Sequence, residues 1–203
     1  MKPSILHKSF GHWWAYCKAY TSPVWKETLR QRQQQFKRIV LPECLYLARG
    51  TILDIGTGAG RLPVLIATMA PQVIGIGVDP NDTLLRDACH TARECQCDNR
   101  VSFVKARAQE LPFAGGAFDM AISVASAQQW SERKKCIAEL YRVLKYRGIG
   151  LILVGSDMMW LFDLVKRNLA NDRDLNAVFQ AVGFKDVKIT HQKGGLLQIT
   201  GRK

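Results

Sequence analysis

Short apolar runs alternate with amphipathic stretches from residue 51 onward, and this alternation predicts most of the secondary structure. The first run stops at glycines, and the second is closed by Asp79 and Pro80. Strands that alternate with helices in this way are typical of a parallel sheet with crossover helices. The predicted strands are Thr51–Ile55, Val73–Val78, Val101–Ala106, Phe118–Val124 and Gly150–Val154.

Four helices are predicted between and after these strands, from apolar residues spaced at i, i+3, i+4 and i+7. One such face is Leu62, Leu65, Ile66 and Met69, and a second is Ile137, Leu140, Tyr141 and Leu144. The helix with the second face is predicted to be capped by Ser131 and to end at Gly148. Two further helices are predicted, one from Thr83 to about Cys95 and one over Asp174–Val182 that is stopped by Gly183.

The two ends of the chain break the alternation. Lys185–His191 and Leu196–Thr200 are β-prone runs around a glycine-containing turn, which predicts an antiparallel hairpin. Residues 1–48 are rich in aromatic and basic residues and predict a helical cap. The expected fold is therefore a single α/β domain, in which a doubly wound, mostly parallel sheet of seven strands ends in the hairpin and residues 49–203 form the core.

Composition supports one globular domain. The chain has 203 residues and is 47% hydrophobic, which is enough for a substantial core. Its longest late apolar stretch, Gly148–Val154, is interrupted by Gly155, and the first residues contain no signal-peptide core. We expect a cytoplasmic protein without a membrane span.

The net charge of +12 is unevenly distributed. Residues 1–50 carry nine Lys or Arg against Glu27 and Glu43, whereas residues 51–100 carry four basic and six acidic side chains. The basic arm could meet RNA, an anionic substrate or an acidic partner, and it could equally be a solvated helix face. The acidic stretch is the better place for a cationic ligand.

Six cysteines are scattered along the chain without a CxxC pair. Only Cys95 and Cys97 are closely spaced, and two thiols do not complete a zinc site. We expect reduced thiols and no bound metal.

The clearest ligand-binding pattern is Leu53–Arg61, in which three glycines follow a strand and open a helix. Gly56, Gly58 and Gly60 would let the backbone approach a ligand where a Cβ would collide. Asp54 stands just before them, and its carboxylate would repel a pyrophosphate but attract the ammonium of a methionine moiety. Asp79 ends the next strand, where a carboxylate can accept both hydroxyls of a ribose.

Four blocks together resemble the class I S-adenosylmethionine-dependent methyltransferases, especially the ubiquinone and menaquinone biosynthesis branch, over about residues 50–200. They are LDIGTGAGR at 53–61, GVDP at 77–80, AQELPFAGGAFDMAIS at 108–123 and ELYRVLKYRGIGLIL at 139–153. The resemblance implies a Rossmann-like fold, S-adenosylmethionine as cofactor, and methyl transfer to a small-molecule acceptor.

By this resemblance the cofactor contacts are assigned residue by residue. Asp54 and the Gly56–Gly60 loop with Thr57 would hold the methionine end, and Asp79 the ribose. The adenine would lie at Pro80, Asn81, Ala108 and Gln109, and the reacting sulfonium at Ser123. Three positions depart from the family: Arg107 stands where an acid is common, Gln109 replaces a glutamate, and RVLKYRG replaces the typical RVLKPGG.

The acceptor is expected beyond the carboxyl ends of the fourth and fifth strands. Methyl transfer from a sulfonium needs alignment and exclusion of water, and needs a base only when the acceptor loses a proton. His12 and Asp157 are weak candidates for such a base. The predicted acceptor contacts are Gln128, Trp130 and Met158, with Trp13 and Tyr20 either closing over the site or packing the cap.

Two alternatives stay open at this point. The basic arm is compatible with a methyltransferase that acts on RNA or protein, and Arg107 with a non-catalytic S-adenosylmethionine-binding module. Ser123-Val124-Ala125-Ser126 stands where enzymes that methylate base amines carry an NPPY-type tetrad, which argues against that class of acceptor.

Overall fold

The computed structural model describes residues 38–45, 47, 49–155, 172–192 and 196–203. The chain divides into two compact units, Met1–Pro42 and Glu43–Lys203. Residues 38–42 of the first unit and residues 43–45 of the second are helical. The predicted cap therefore lies mostly outside the described residues.

One sheet of seven strands organises the described part of the second unit. Its spatial order is β3-β2-β1-β4-β5-β7-β6, and β7 runs antiparallel to both of its neighbours while the other pairs are parallel. The predicted sheet with its terminal hairpin is confirmed. The strands are β1 (Gly50–Ile55), β2 (Val73–Asp79), β3 (Val101–Lys105), β4 (Phe118–Val124), β5 (Leu144–Gly155), β6 (Lys185–Gln192) and β7 (Leu196–Arg202).

The helices join these strands as predicted, with shifted ends. They are α1 (Arg61–Met69), α2 (Asp82–Glu94), α3 (Arg133–Val143) and α4 (Asp172–Val182). The prediction that Ser131 caps α3 is wrong, because the N-cap position belongs to Glu132, whose carbonyl accepts the Cys136 N–H at 2.9 Å. None of the helices in the described residues is long and apolar enough to cross a bilayer.

The segment after α3 also differs from its prediction. The helix ends at Val143 and not at Gly148, because Leu144 already pairs with Phe118 of β4. The next pair is Ile149 with Met120, so residues 145–148 bulge out of the β5 ladder. The expected turn is therefore a bulge inside a strand.

The sequence predicts Gly148 as the end of a helix and Gly150 as the first residue of a strand, and the prediction for Gly148 is wrong. Both belong to β5, and Gly150 is buried within the sheet. A Cβ on Gly150 would lie 2.8 Å from the Leu140 side chain and from the Phe184 ring. Gly150 is thus required by packing of the sheet against α3 and the start of β6.

Two hydrophobic clusters use different helices. The larger contains Leu140 of α3 and Phe179 of α4, and the smaller contains Val64 of α1 and Ala92 of α2. Helices that bury separate clusters against one sheet are what a doubly wound topology requires.

The buried face of α1 is shifted by one position from its prediction. Its buried residues include Pro63, Ile66 and Ala67, whereas Met69 is 50% exposed. The cause is close packing against β2, where a Cβ on Gly75 would lie only 3.0 Å from Pro63 Cβ. A Cβ on Gly77 would likewise lie 2.7 Å from Phe103 and from Thr57, so both glycines of β2 serve close packing.

The packing around Gly150 gives a first prediction. Gly150→Ala should lower the free energy of unfolding by about 1–3 kcal/mol, because the added methyl meets two side chains that are themselves buried. Urea denaturation measures the change. Gly115→Ala is the matched control, since its Cβ would lie no closer than 3.4 Å to any atom. Equal losses in both variants would contradict this account of Gly150.

Candidate functional site

The sheet topology places a crevice at the carboxyl end of β1. This strand lies between β2 and β4, and Asp54 is in register with Gly77 on one side and Ile122 on the other. The chain continues from β1 toward β2 and β3, and then returns to the opposite side for β4 and β5. Such a switch point leaves room for a ligand beyond the strand ends.

The glycine loop that follows β1 has two packed glycines and one open one. Gly56, Gly58 and Gly60 have φ of 78°, 54° and 70°. A Cβ on Gly56 would lie 2.3 Å from the Ser126 side chain, and one on Gly60 would lie 2.5 Å from the Phe103 ring. A Cβ on Gly58 would meet no atom within 4 Å. The accessible approach to the loop backbone is therefore at Gly58.

The Asp79 carboxylate holds this loop in place. The Gly58 N–H donates to Asp79 Oδ2 at 3.0 Å, and the Asn81 N–H donates to Oδ1 at 2.9 Å. Asn81 in turn caps α2 by accepting the Thr83 N–H at 2.9 Å. The 9% exposed Asp79 side chain thus joins the loop to the start of α2. The sequence predicts only a ribose contact for Asp79 and does not reveal this structural role.

Asp54 is the more deeply buried acid, with 3% of its surface exposed. Burial raises the pKa of its carboxyl to about 7, with a further rise from the charge of Asp79 and an opposing effect of the nearby Thr57 hydroxyl. The ligand-free chain therefore keeps Asp54 protonated to a higher pH than it would an exposed carboxyl. A cation bound beside it would favour the ionised form.

Two buried polar atoms next to the crevice have no hydrogen-bond partner. They are Thr57 Oγ1 in the glycine loop and Gln128 Oε1 in the 3-10 turn Ala127–Gln129 after β4. The Thr57 hydroxyl is close enough to the Asp54 carboxyl to affect its pKa, but it is not in hydrogen-bonding geometry with it. The Gln128 amide orientation is fixed, because its Nε2 donates to the Ala125 carbonyl at 2.8 Å. Unsatisfied buried groups are costly, so both atoms fit a site that a polar ligand completes. Asn176 Oδ1 on α4 is also buried without a partner.

Two serines tie the end of β4 to the end of β1. Ser126 Oγ donates to the Ile55 carbonyl at 2.7 Å, and Ser123 Oγ lies 2.6 Å from Ser126 Oγ. Ser123 is completely buried. Ala125 between them has a left-handed φ of 56°, a conformation that costs energy in a non-glycine residue. Ser126 thus anchors the segment after β4, a role that the sequence does not reveal because nothing in it links Ser126 to Ile55.

The remaining predicted contacts are distributed around this crevice. Ala108 and Gln109 are half-buried in a turn bridged by Arg107 and Glu110, and the preceding Ala106 N–H donates to the Asp79 carbonyl at 3.3 Å. Arg107 is exposed. Among the other predicted contacts, Pro80 is exposed, and Gln128 and Trp130 are half-buried. The remaining predicted residues lie outside the described part of the chain: His12, Trp13, Tyr20, Asp157 and Met158.

The cysteine pair does not assemble a larger ligand set. Cys97 is buried and its Sγ lies 3.6 Å from the Ala92 carbonyl, while Cys95 is exposed. In the part of the chain that the structure describes, no three His, Cys, Asp or Glu side chains are grouped to hold a metal ion.

Comparison with known proteins adds the family context. Residues 52–148 match a family described as Methyltransferase domain. The 2-methyl-6-phytyl-1,4-hydroquinone methyltransferase 2, chloroplastic, of Oryza sativa subsp. japonica is 27% identical in an alignment 206 residues long, and the alignment covers 91% of this chain and 53% of that protein. The ubiquinone/menaquinone biosynthesis C-methyltransferase UbiE of Psychromonas ingrahamii is 30% identical over 120 residues, 58% of this chain and 48% of that protein.

The chain thus spans about half the length of these curated relatives. Among solved structures, Haemonchus contortus phosphoethanolamine N-methyltransferase 2 in complex with S-adenosyl-L-methionine matches with a TM-score of 0.68. It shares 18% identity, and the match covers 76% of this chain and 49% of that one. At this identity the likeness concerns the fold alone.

The buried Asp54 carboxyl gives a prediction for the ligand-free protein. In the unfolded chain this group titrates near 3.8, and in the folded chain near 7. Between about pH 4 and about pH 7 the folded chain holds a proton that the unfolded chain has released, so the free energy of unfolding falls as pH rises. Asp54→Asn should remove that fall and be roughly 2–4 kcal/mol more stable than wild type at pH 8.

Urea denaturation across this pH range measures the effect. The control is Asp87→Asn, which removes an exposed carboxyl of α2 and should leave the pH profile parallel to that of the wild type. An Asp54→Asn profile that falls as steeply as the wild-type profile would show that Asp54 is already ionised in the folded chain.

Proposed function

Because the chain belongs to the class I S-adenosylmethionine-dependent methyltransferases, in the branch of the ubiquinone and menaquinone biosynthesis enzymes, we propose that it transfers a methyl group from S-adenosylmethionine to a small-molecule acceptor. One observation carries the proposal: two buried carboxylates, Asp54 and Asp79, flank a glycine loop whose backbone is open at Gly58. This arrangement suits a ligand with a positive charge and vicinal hydroxyls.

The chain's own residues fit this cofactor in three places. Asp54, once ionised, attracts the ammonium of the methionine end, and the unpartnered Thr57 hydroxyl offers that end a hydrogen bond. Each Asp79 oxygen accepts one backbone N–H and retains capacity for a ribose hydroxyl. Ala108 and Gln109 follow β3 beside Asp79, where the adenine edge would lie.

The chemistry then depends on alignment. Bound S-adenosylmethionine supplies an electrophilic methyl group on a sulfonium. The protein's task is to fix the acceptor atom in line with that methyl group and keep water out. Gln128 and Trp130 follow β4 next to the crevice, and the free Gln128 Oε1 can accept a hydrogen bond from an acceptor hydroxyl. Ser123 and Ser126 keep this segment against β1.

The printed names of the relatives guide the choice of acceptor. They describe methyl transfer to a hydroquinone ring and in ubiquinone and menaquinone biosynthesis. We extend this only to the class, a small aromatic molecule with a hydroxyl that Gln128 can bind. A base at His12 or Asp157 is then needed only if the acceptor loses its proton in the reaction.

The raised pKa of Asp54 predicts how cofactor affinity depends on pH. Below about pH 7 the cationic ligand must displace a proton from Asp54, and above it this cost disappears. The association constant for S-adenosylmethionine, measured by calorimetry, should rise about tenfold from pH 6 to pH 8. Asp54→Asn should bind more weakly at pH 8 and show no such rise. The same rise in the variant would assign the titration to another group.

The second carboxylate is tested by Asp79→Asn. The amide presents one acceptor oxygen where the carboxylate presents two, so either the Gly58 loop or a ribose hydroxyl loses its partner. Binding of S-adenosylhomocysteine should weaken by about 1–3 kcal/mol, and turnover of a hydroquinone panel should fall accordingly. The exposed Asp87→Asn again serves as control. If neither acidic variant changes binding, the proposed function is wrong.

A further inference from the structure

A cationic rim lies on the edge of the sheet opposite to the crevice. We define the basic rim as Lys145, Tyr146, Arg147, Lys185 and Arg202. The first three belong to the bulge near the start of β5, Lys185 starts β6, and Arg202 ends β7. Since β5 and β6 run parallel to β1, and β7 runs antiparallel, these ends meet at the amino edge. The glycine loop is at the carboxyl edge.

The bulge exposes an aromatic ring beside a strained arginine. Tyr146 is 83% exposed, and the Arg147 guanidinium carbon lies 5.8 Å from its ring centroid. Arg147 has a left-handed φ of 64°, which glycine adopts freely and arginine does not. The RVLKPGG sequence that is typical of the family has Pro and Gly at the positions of Tyr146 and Arg147. This chain therefore has an arginine at a position where the backbone conformation favours glycine.

The charges of the basic rim are largely uncompensated. Arg147, Lys185 and Arg202 form no ion pair within the described residues. Lys145 is the exception, since its Nζ lies 2.8 Å from Asp119 Oδ2. Asp186, next to Lys185, is the other nearby carboxylate. Three exposed cations against the one exposed carboxylate of Asp186 leave a net positive surface, and Arg147 is the cation placed beside the Tyr146 ring.

We propose that the basic rim binds single-stranded nucleic acid. An exposed aromatic ring that stacks a base, next to cations that meet the phosphates, is the usual combination for sequence-tolerant binding of single strands. The cations are also arranged in a row. The Arg147 N–H donates to the Lys203 carbonyl at 2.9 Å, and the preceding residue, Arg202, is in register with Lys185, so cationic residues occupy neighbouring positions at the ends of β5, β7 and β6.

An anionic bilayer fits the same charges less well. Membrane attachment through a cationic surface gains most from several apolar side chains inserted at the interface. The exposed large hydrophobic residues of the described part are Met69, Ile74, Leu84 and Tyr146, and only Tyr146 belongs to the rim. A single ring beside unpaired arginines is better suited to a base and its phosphates.

Because of its position, the basic rim can bind a nucleic acid but cannot present it to the methyl donor. It lies at the amino edge of the sheet, whereas the residues proposed for methyl transfer lie at the carboxyl edge. A strand held on the rim is therefore not placed for methylation at the crevice. The inference goes beyond the proposed function and does not depend on it.

The test uses the full chain and a short fluorescein-labelled single-stranded RNA, with binding followed by fluorescence anisotropy between about 50 and 200 mM salt. Tyr146→Ser should weaken binding at least about fivefold without changing the salt dependence, because it removes stacking only. Arg147→Gly should weaken binding by a similar factor and reduce the slope of log affinity against log salt by about 0.7.

Arg147→Gly also separates binding from folding. The glycine relieves the left-handed strain, so the melting temperature should rise by roughly 2–4 °C while RNA affinity falls. Arg93→Ala, an exposed arginine of α2, is the matched control for loss of one charge and should change affinity less than twofold. A loss in all three variants alike would mean non-specific attraction to a basic protein and would overturn the proposal.

Two further outcomes also overturn it. One is RNA affinity that is unchanged in both rim variants, which would assign binding to another basic segment. The other is binding to phosphatidylserine vesicles that depends on Tyr146 in the absence of RNA binding, which would make the rim a membrane surface. Cofactor binding by calorimetry is measured in parallel, because it reports the proposed methyltransferase site independently of either result.

Discussion

The hydrogen bonds of one buried carboxylate hold the candidate site together. Asp79 accepts the N–H groups of Gly58 and Asn81, and so connects the loop after β1 to the start of α2. The amides of Gly56 and Thr57 donate to the Val78 carbonyl, and that of Gly60 donates to the Thr57 carbonyl, so Asp79 is the described partner of the Gly58 N–H. The loop is thus bonded toward β2, and a Cβ on Gly58 would meet no atom within 4 Å. Ser126 closes the other side, since its bond to the Ile55 carbonyl fills the place where a side chain on Gly56 would lie.

The site is assembled at the expense of stability. Asp54 is kept nearly free of water, Ala125 has a left-handed backbone, and Thr57 and Gln128 each keep a buried oxygen unpaired. Each of these features destabilises the ligand-free chain, and they occur together around one crevice. A cationic, hydroxyl-rich ligand would relieve several of these destabilising features at once. Its binding would therefore be favoured by the stability that the ligand-free chain lacks at this crevice.

The sequence was sufficient to predict elements that depend on their own residues. It was insufficient to predict features that depend on contacts with distant parts of the chain. Alternating apolar runs located every strand of the sheet within one or two residues at most ends, since that pattern is set by burial of each run itself. The face of α1 was misplaced because its position depends on Gly75, a residue of the next strand. The β5 bulge escaped prediction because it is defined by pairing with β4. The anchoring role of Ser126 was missed for the same reason, since its partner Ile55 is 71 residues away.

The direction of the strands separates opposite charges on this molecule. Parallel strands gather their carboxyl ends at one edge, and Asp54, Asp79 and Asp82 accumulate there, whereas Arg147, Lys185 and Arg202 accumulate at the other. A positively charged nucleoside is attracted to the first edge and a polyanion to the second, and each is repelled by the edge that attracts the other. Each edge also carries charges of the opposite sign. Lys105 and Arg107 lie at the carboxyl end of β3, with Lys105 paired to Asp82 at 2.5 Å, and Asp119 and Asp186 lie at the amino edge, with Asp119 paired to Lys145. The proposed cofactor and the proposed nucleic acid would therefore occupy opposite edges of the sheet and would not compete for one site.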